Sequence, residues 1–177
     1  MKRSLSCILM VLTIALAGAC ATITTTGETP VSPRETWGII PLTNTSETPN
    51  ASERATAIAT AVLRSRGIPA VESYVPAPQP DETLLKPHMP PTTAEALEWA
   101  AKRNIRYILT GTVTEWRYKV GLDGEPAAGV VLQVLDAKSG AVLWSAAGGR
   151  SGWSREALSA VGQRVITDLL ATLRLEP

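Results

Sequence analysis

The chain has one histidine, two cysteines and no apolar run long enough to cross a bilayer. Each shortage closes a route. His88 stands in Lys86-Pro87-His88-Met89-Pro90 with no cysteine or acidic residue at ligand spacing, so it reads as a solvated loop residue and not as a metal ligand or general base. Cys7 and Cys20 both lie at the N-terminal end, so a domain built from the residues that follow has no disulfide, even in an oxidising compartment. The apolar stretch Leu5 to Leu16 falls short of the about 20 residues that a membrane-spanning helix needs. No glycine-rich phosphate loop follows a strand, because Gly148-Gly149 opens into a tryptophan-containing turn without the required lysine. Ser151-Gly152-Trp153-Ser154 does not make a nucleophile elbow. Asp123 and Glu125 sit so close in one turn that they are not expected to flank a glycosidic bond. Lys and Arg total 17 against 16 acids, with no basic stripe, which argues against a nucleic-acid partner. An enzyme, a metal and a diffusible cofactor are therefore not expected.

What is present begins at the N-terminus. Lys2 and Arg3 precede the apolar stretch, and Ala17-Gly18-Ala19 place small residues directly before Cys20. This is the layout of a removable bacterial lipoprotein signal covering residues 1–19. It has one irregularity, in that the usual leucine three residues before the cysteine is here Ala17, with Leu16 one place earlier. Ordinary secretion with cleavage after an alanine is the competing reading. On the lipoprotein reading, Cys20 carries a covalent diacylglycerol thioether and an amide-linked acyl chain, enough acyl chains for stable anchoring. Ala21 in place of aspartate points to the outer membrane, facing the periplasm. Removal of residues 1–19 leaves about 158 residues, enough for one domain, with a net charge near −1.

Residues 20–35 comprise Cys20 and a Thr/Pro-rich stretch without apolar period, read as a flexible tether of about 20 to 25 Å. A single α/β domain is expected over 36–177. Trp37 to Leu42 predicts a strand. Asn50 and Glu53 have capping-box spacing before a helix with Ala55, Ile58, Ala59, Val62 and Leu63 inward, ended by Gly67. Ile68 to Val75 is the next strand, and Pro76 to Pro91 is a proline-interrupted surface loop. Thr92 and Glu95 form a second capping box, opening a helix whose inner face is Ala94, Leu97 and Ala101, with Trp99 on the opposite face. Arg106 to Val120, Ala127 to Asp136 and Ala141 to Ala147 predict a three-strand meander with Asp123-Gly124 and Asp136 to Gly140 as connections. Ser154 is placed to cap a last helix bearing Leu158, Val161, Val165, Ile166, Leu169, Leu170 and Leu173. The order is βαβα-βββ-α, and its natural packing is one mixed β-sheet covered by helices.

The segment from Tyr107 to Pro126, with Glu115-Trp116-Arg117-Tyr118-Lys119 and Gly121-Leu122-Asp123-Gly124-Glu125-Pro126 within it, is the most distinctive. With Val131 to Asp136, Gly140 to Ser145, Ser151 to Ser154, Trp37 to Ser46 and Arg64 to Ile68, it resembles the PelC family, the outer-membrane lipoproteins of Pel exopolysaccharide secretion. The wider pattern is similar to the CsgG and LpoB group. The resemblance implies a CsgG/LpoB-like sandwich and a dodecamer-like ring of protomers beneath the outer membrane. It also implies a cationic, partly deacetylated polysaccharide as cargo and a separate outer-membrane porin of PelB type as partner, since the short connections here cannot build a barrel.

Three kinds of residue are then candidates for function. Cys20 is the anchor. Trp153, next to a glycine and just before a helix, suits a lipid–water interface, where indoles are favoured; a core or protomer contact is the competing reading. Asp123 and Glu125 are candidates for an acidic ring mouth guiding the polymer, with ordinary hairpin chemistry as the alternative for Asp123-Gly124. The alternative function is an LpoB-like lipoprotein activator of a peptidoglycan synthase, which a short tether disfavours.

Overall fold

The computed structural model describes residues 21–27, 29–75, 90–121 and 124–176. The expected signal segment, Cys20, the proline-interrupted loop through His88, and Asp123 lie outside the described residues. The elements are β1 (Ala21–Thr26), β2 (Trp37–Ile39), β3 (Thr43–Asn44), α1 (Ala51–Ser65), β4 (Val71–Ser73), α2 (Thr93–Lys102), β5 (Tyr107–Tyr118), β6 (Pro126–Asp136), β7 (Val142–Ser151) and α3 (Leu158–Ala171). They form one sheet in the order β1-β7-β6-β5-β2-β4, with β3 also paired to β5. The sheet is mixed, as expected. β2 runs parallel to β4 and β5 because helices intervene between them, whereas β5, β6 and β7 turn back on themselves through short connections and are antiparallel.

Alternation along the strands divides the core between the two faces of the sheet. Trp37, Ile39, Leu109, Val113, Trp116, Val130, Leu132, Val134, Trp144 and Ala146 point to one face, where α1 and α3 cover them. Ile108 and Leu135 point to the other, where Ala96 and Ala100 of α2 form a smaller cluster with Ile40, Ile105 and Ala137. The register of β5 on β6 shifts between Val113 and Glu115, and this bulge keeps Val113 and Trp116 on the same face although three positions separate them. Gly162 lets α3 settle onto Trp116: a Cβ there would stand 2.1 Å from the indole ring. The apolar period of the last helix reads correctly, with Val161, Val165, Ile166, Leu169 and Leu170 all buried.

Several local expectations are corrected. The tether reading of 21–35 gives way to β1, whose Ala21 to Thr26 pair with Arg150 to Ser145 of β7, and to Val31, which is buried and bridged to Leu175. Residues 21–26 and Val31 are thus packed into the fold and do not form a free tether. With β1 on its far side, β7 also continues through Gly148 and Gly149 to Ser151. Asn50 makes no side-chain cap, since its φ of 57° puts it in the left-handed region; Thr92 and Glu95 make the complete capping box. The inner face of α2 is Ala96 and Ala100, while Ala94 and Ala101 are exposed. Trp99 is not on a solvated face: it packs edge-on to Tyr74 at 5.4 Å between ring centroids, over Gly38, where a Cβ would come within 2.7 Å of the indole. Ser154 does not cap α3, which starts after Ala157, because Ser154 lies in a turn closed by the Glu156 amide donating to the Trp153 carbonyl at 2.8 Å.

Candidate functional site

Three segments finish at the same end of the sheet. β5 stops at Tyr118, which faces Pro126 at the start of β6, and the Lys119 amide donates to the Glu125 carbonyl at 2.7 Å. β7 stops at Ser151, and the Gly152 amide donates to the Pro126 carbonyl at 2.8 Å, so the turn carrying Trp153 continues the ladder by one more bond. β1 starts there as well, since Ala21 is in register with Arg150. This end therefore gathers the N-terminal edge of the described domain, the Glu125 connection and the Trp153 turn.

The Trp153 turn is held firmly while its indole is left out. A Cβ on Gly152 would sit 2.2 Å from the Glu156 carboxylate, so only glycine allows that carboxylate to reach back and accept the Trp153 amide at 3.3 Å. Arg164 pairs with the same carboxylate, and that hydrogen bond is the main reason the Glu156 carboxyl is held below its usual range. The Trp153 side chain remains 70% exposed. Beside it, the Lys119 ammonium donates to the Ser151 hydroxyl at 2.5 Å, tying the end of β5 to the end of β7. The Tyr118 hydroxyl accepts the Leu158 amide at 3.2 Å, satisfying a donor at the N-terminus of α3. Arg150 pairs with Asp168 at 3.3 Å and Arg117 with Glu115 at 3.0 Å. These are surface ion pairs that fix side chains.

The opposite end of the sheet holds an open cleft between α2 and the β6–β7 connection, lined by Leu97, Asn104, Ile105, Arg106 and Lys138. Its ionic feature is the pair Arg106–Asp136, which locks the start of β5 to the end of β6, with the Arg106 guanidinium 5.1 Å above the Tyr107 ring. Among the described residues no three His, Cys, Asp or Glu side chains gather as a metal site would require, and no charged side chain is buried.

Of the residues singled out from sequence, Glu125 and Trp153 come to the same end, and Cys20 and Asp123 lie outside the described residues. From sequence, Tyr118 and Lys119 enter only as part of the distinctive segment and Val120 as the end of a strand, with no functional role given to any of the three; β5 stops at Tyr118. A signal existed: the valine after Tyr118-Lys119 falls beyond the last paired residue of β5, in a stretch rich in turn residues.

No protein-family model matches the chain, and no curated protein matches it. Solved structures do. PelC of Paraburkholderia phytofirmans, solved as a dodecamer, is similar to this chain with a TM-score of 0.74 and 38% identity, over 89% of this chain and 100% of that one. The chain belongs to the PelC family. A single-residue variant of the same PelC, again a dodecamer, gives a TM-score of 0.71 and 38% identity over 86% of this chain and 96% of that one. A lipoprotein of Neisseria meningitidis, at a TM-score of 0.51 and 18% identity over 77% of this chain and 96% of that one, shares the fold alone. PelC membership covers the resemblance that the Tyr107 to Pro126 segment carries, and the mixed sheet under three helices is the family fold.

Proposed function

We propose that the chain is a non-enzymatic, lipid-anchored protein of the outer membrane, facing the periplasm, whose copies close into a ring that guides a cationic exopolysaccharide, Pel, to a porin of PelB type. The observation that carries this reading is 38% identity over 89% of the chain to a PelC that is a dodecamer. The end of the sheet described above fits it. Ala21 is paired to β7, and Cys20 precedes it by one peptide bond, which sets consecutive Cα atoms about 3.8 Å apart. A lipid on Cys20 would thus hold this end of the domain against the membrane, where the Trp153 indole gains from the interface. No helix among the described residues is long and apolar enough to cross a membrane.

Glu125 is exposed at the same end and follows Asp123 by two residues in sequence, so on this reading the acidic mouth faces the membrane side of the ring. One exposed carboxylate acts weakly, since physiological salt screens it beyond about 8 Å. Repeated around a closed ring, such carboxylates sum their potentials at a narrow opening, which draws in a cationic polymer without tight binding. The test is export from a Pel-producing host lacking its own PelC. The wild-type chain should restore secretion, and Cys20→Ser should lose label from a palmitate analogue. Asp123→Asn with Glu125→Gln should assemble normally, as judged by native mass spectrometry, yet export several-fold less polymer. Full export from that double variant would reject the acidic mouth.

A further inference from the structure

We infer that the lip formed by Tyr118, Lys119 and Val120, where β5 runs out, is a second lipid contact that enters the bilayer interface beside Trp153. Val120 is 100% exposed and Tyr118 51% exposed, so an aliphatic and an aromatic side chain stand in water at the end of the sheet where Trp153 does the same. Lone surface apolar residues need no explanation, but a cluster at one end does. The frame beneath them is rigid. The Lys119 amide is bonded to Glu125, the Lys119 ammonium to Ser151, and the Tyr118 hydroxyl to the amide of Leu158. These bonds fix the end of β5, and the Val120 side chain just beyond it stays exposed.

The occupant is a phospholipid leaflet with anionic headgroups. Ala21, the first residue of β1, is paired with Arg150 of β7, and β7 and β5 both border β6, so the proposed anchor at Cys20, one residue before Ala21, and the lip share one end of the sheet. Lys119 and the exposed Arg155, next but one to Trp153, suit anionic headgroups, with Glu125 opposing them. Ammonium and guanidinium groups beside an apolar tip make the usual interfacial arrangement, in which the stem lies along the acyl boundary and the charge stays with the headgroups.

This inference rests on the membrane-anchored reading, and its test separates the two. The full chain carrying Cys20→Ser, free of acyl groups, is sedimented with vesicles of phosphatidylethanolamine and phosphatidylglycerol. Val120→Ser should weaken partitioning about tenfold, the scale expected from withholding one aliphatic side chain from the interface. Lys119→Gln should weaken it less and reduce its dependence on salt. Val142→Ser, an exposed valine at the opposite end of β7, should bind as the parent does. Thermal melts check folding, and Val120→Ala provides a second variant with the same expected direction. Weakened binding by Trp153→Ala alone, with Val120→Ser and Val120→Ala unchanged, overturns the lip and leaves the anchor reading intact. Parent protein that does not bind vesicles also overturns it, while palmitate labelling of wild-type Cys20 reports separately on the anchor. Unchanged vesicle binding with altered ring size in Val120→Ser would assign the lip to a neighbouring copy and overturn the lipid contact.

Discussion

Asp136 shows how one side chain can close a connection and set a pH limit. Burial pushes its carboxyl up, but the Ser139 amide, the Arg106 guanidinium and the Lys138 amide together outweigh that and hold it at about 2, against an ordinary 3.8. The amide bonds from Lys138 and Ser139 measure 2.9 and 3.0 Å and build the turn between β6 and β7. A carboxyl whose pKa is depressed on folding adds stability that is fully present above its unfolded pKa and is lost as pH falls through its folded one. The wild type should therefore lose stability from this group between about pH 4 and about pH 2. Asp136→Asn should cost about 1 to 2 kcal/mol at neutral pH, and its stability should change less over that acid range. Urea midpoints measured at pH 7, 4 and 2.5 decide it; equal acid sensitivity in both proteins would show that other carboxylates dominate. The Asp136 to Gly140 run was legible as a turn in sequence, since Asp136, Ser139 and Gly140 are turn residues in order. The Arg106 partner was not, because it comes from the far end of a neighbouring strand.

At the scale of elements, the legible features were those whose parts lie a few residues apart. The Thr92–Glu95 box and the apolar face of α3 are examples, each needing only its own turn or helix. Asn50 and Glu53 have the same spacing and fail, because the chain arrives at α1 through a left-handed residue that turns the side chain away from the helix amides. β1 escaped notice for another reason. It is an edge strand exposed on all six residues, so no alternation of apolar and polar positions marks it, and only its threonines hint at a strand. Its partner lies more than a hundred residues later, beyond any local pattern. Thr24→Pro should break the ladder opposite Ala147. Hydrogen exchange should then speed up for amides of β1 and of the facing edge of β7, with those of β6 unchanged. Protection of β1 equal to that of the wild type would mean that the strand does not depend on its pairing with β7.

For the molecule as a whole, the unequal division of the core sets the order of opening. The cluster under α1 and α3 includes three buried tryptophans, Trp37, Trp116 and Trp144, whereas that under α2 rests on small alanines and the partly buried Trp99. Local stability follows such apolar contact. Amides of α2 should exchange faster than those of α3 in the native protein, and Trp99→Ala should widen the gap while moving α3 little. Comparable protection of the two helices would show that the two faces unfold as one unit. Trp99 was misplaced from sequence because its packing depends on an absent Cβ at Gly38 and on the Tyr74 ring, neither of which belongs to its helix.

The pairing of β1 with β7 also has a mechanical side. Any tug transmitted through a lipid on Cys20 arrives at Ala21, the first rung of a six-rung antiparallel ladder. Tension drawn along the strand axis loads all six rungs together in shear, but tension drawn sideways peels them in turn, beginning at Ala21 and Arg150. The domain is thus hard to pull off its anchor while its long strands stand upright on the membrane and is easily undone once they tip over, so that holding each protomer erect protects the joint between lipid and protein.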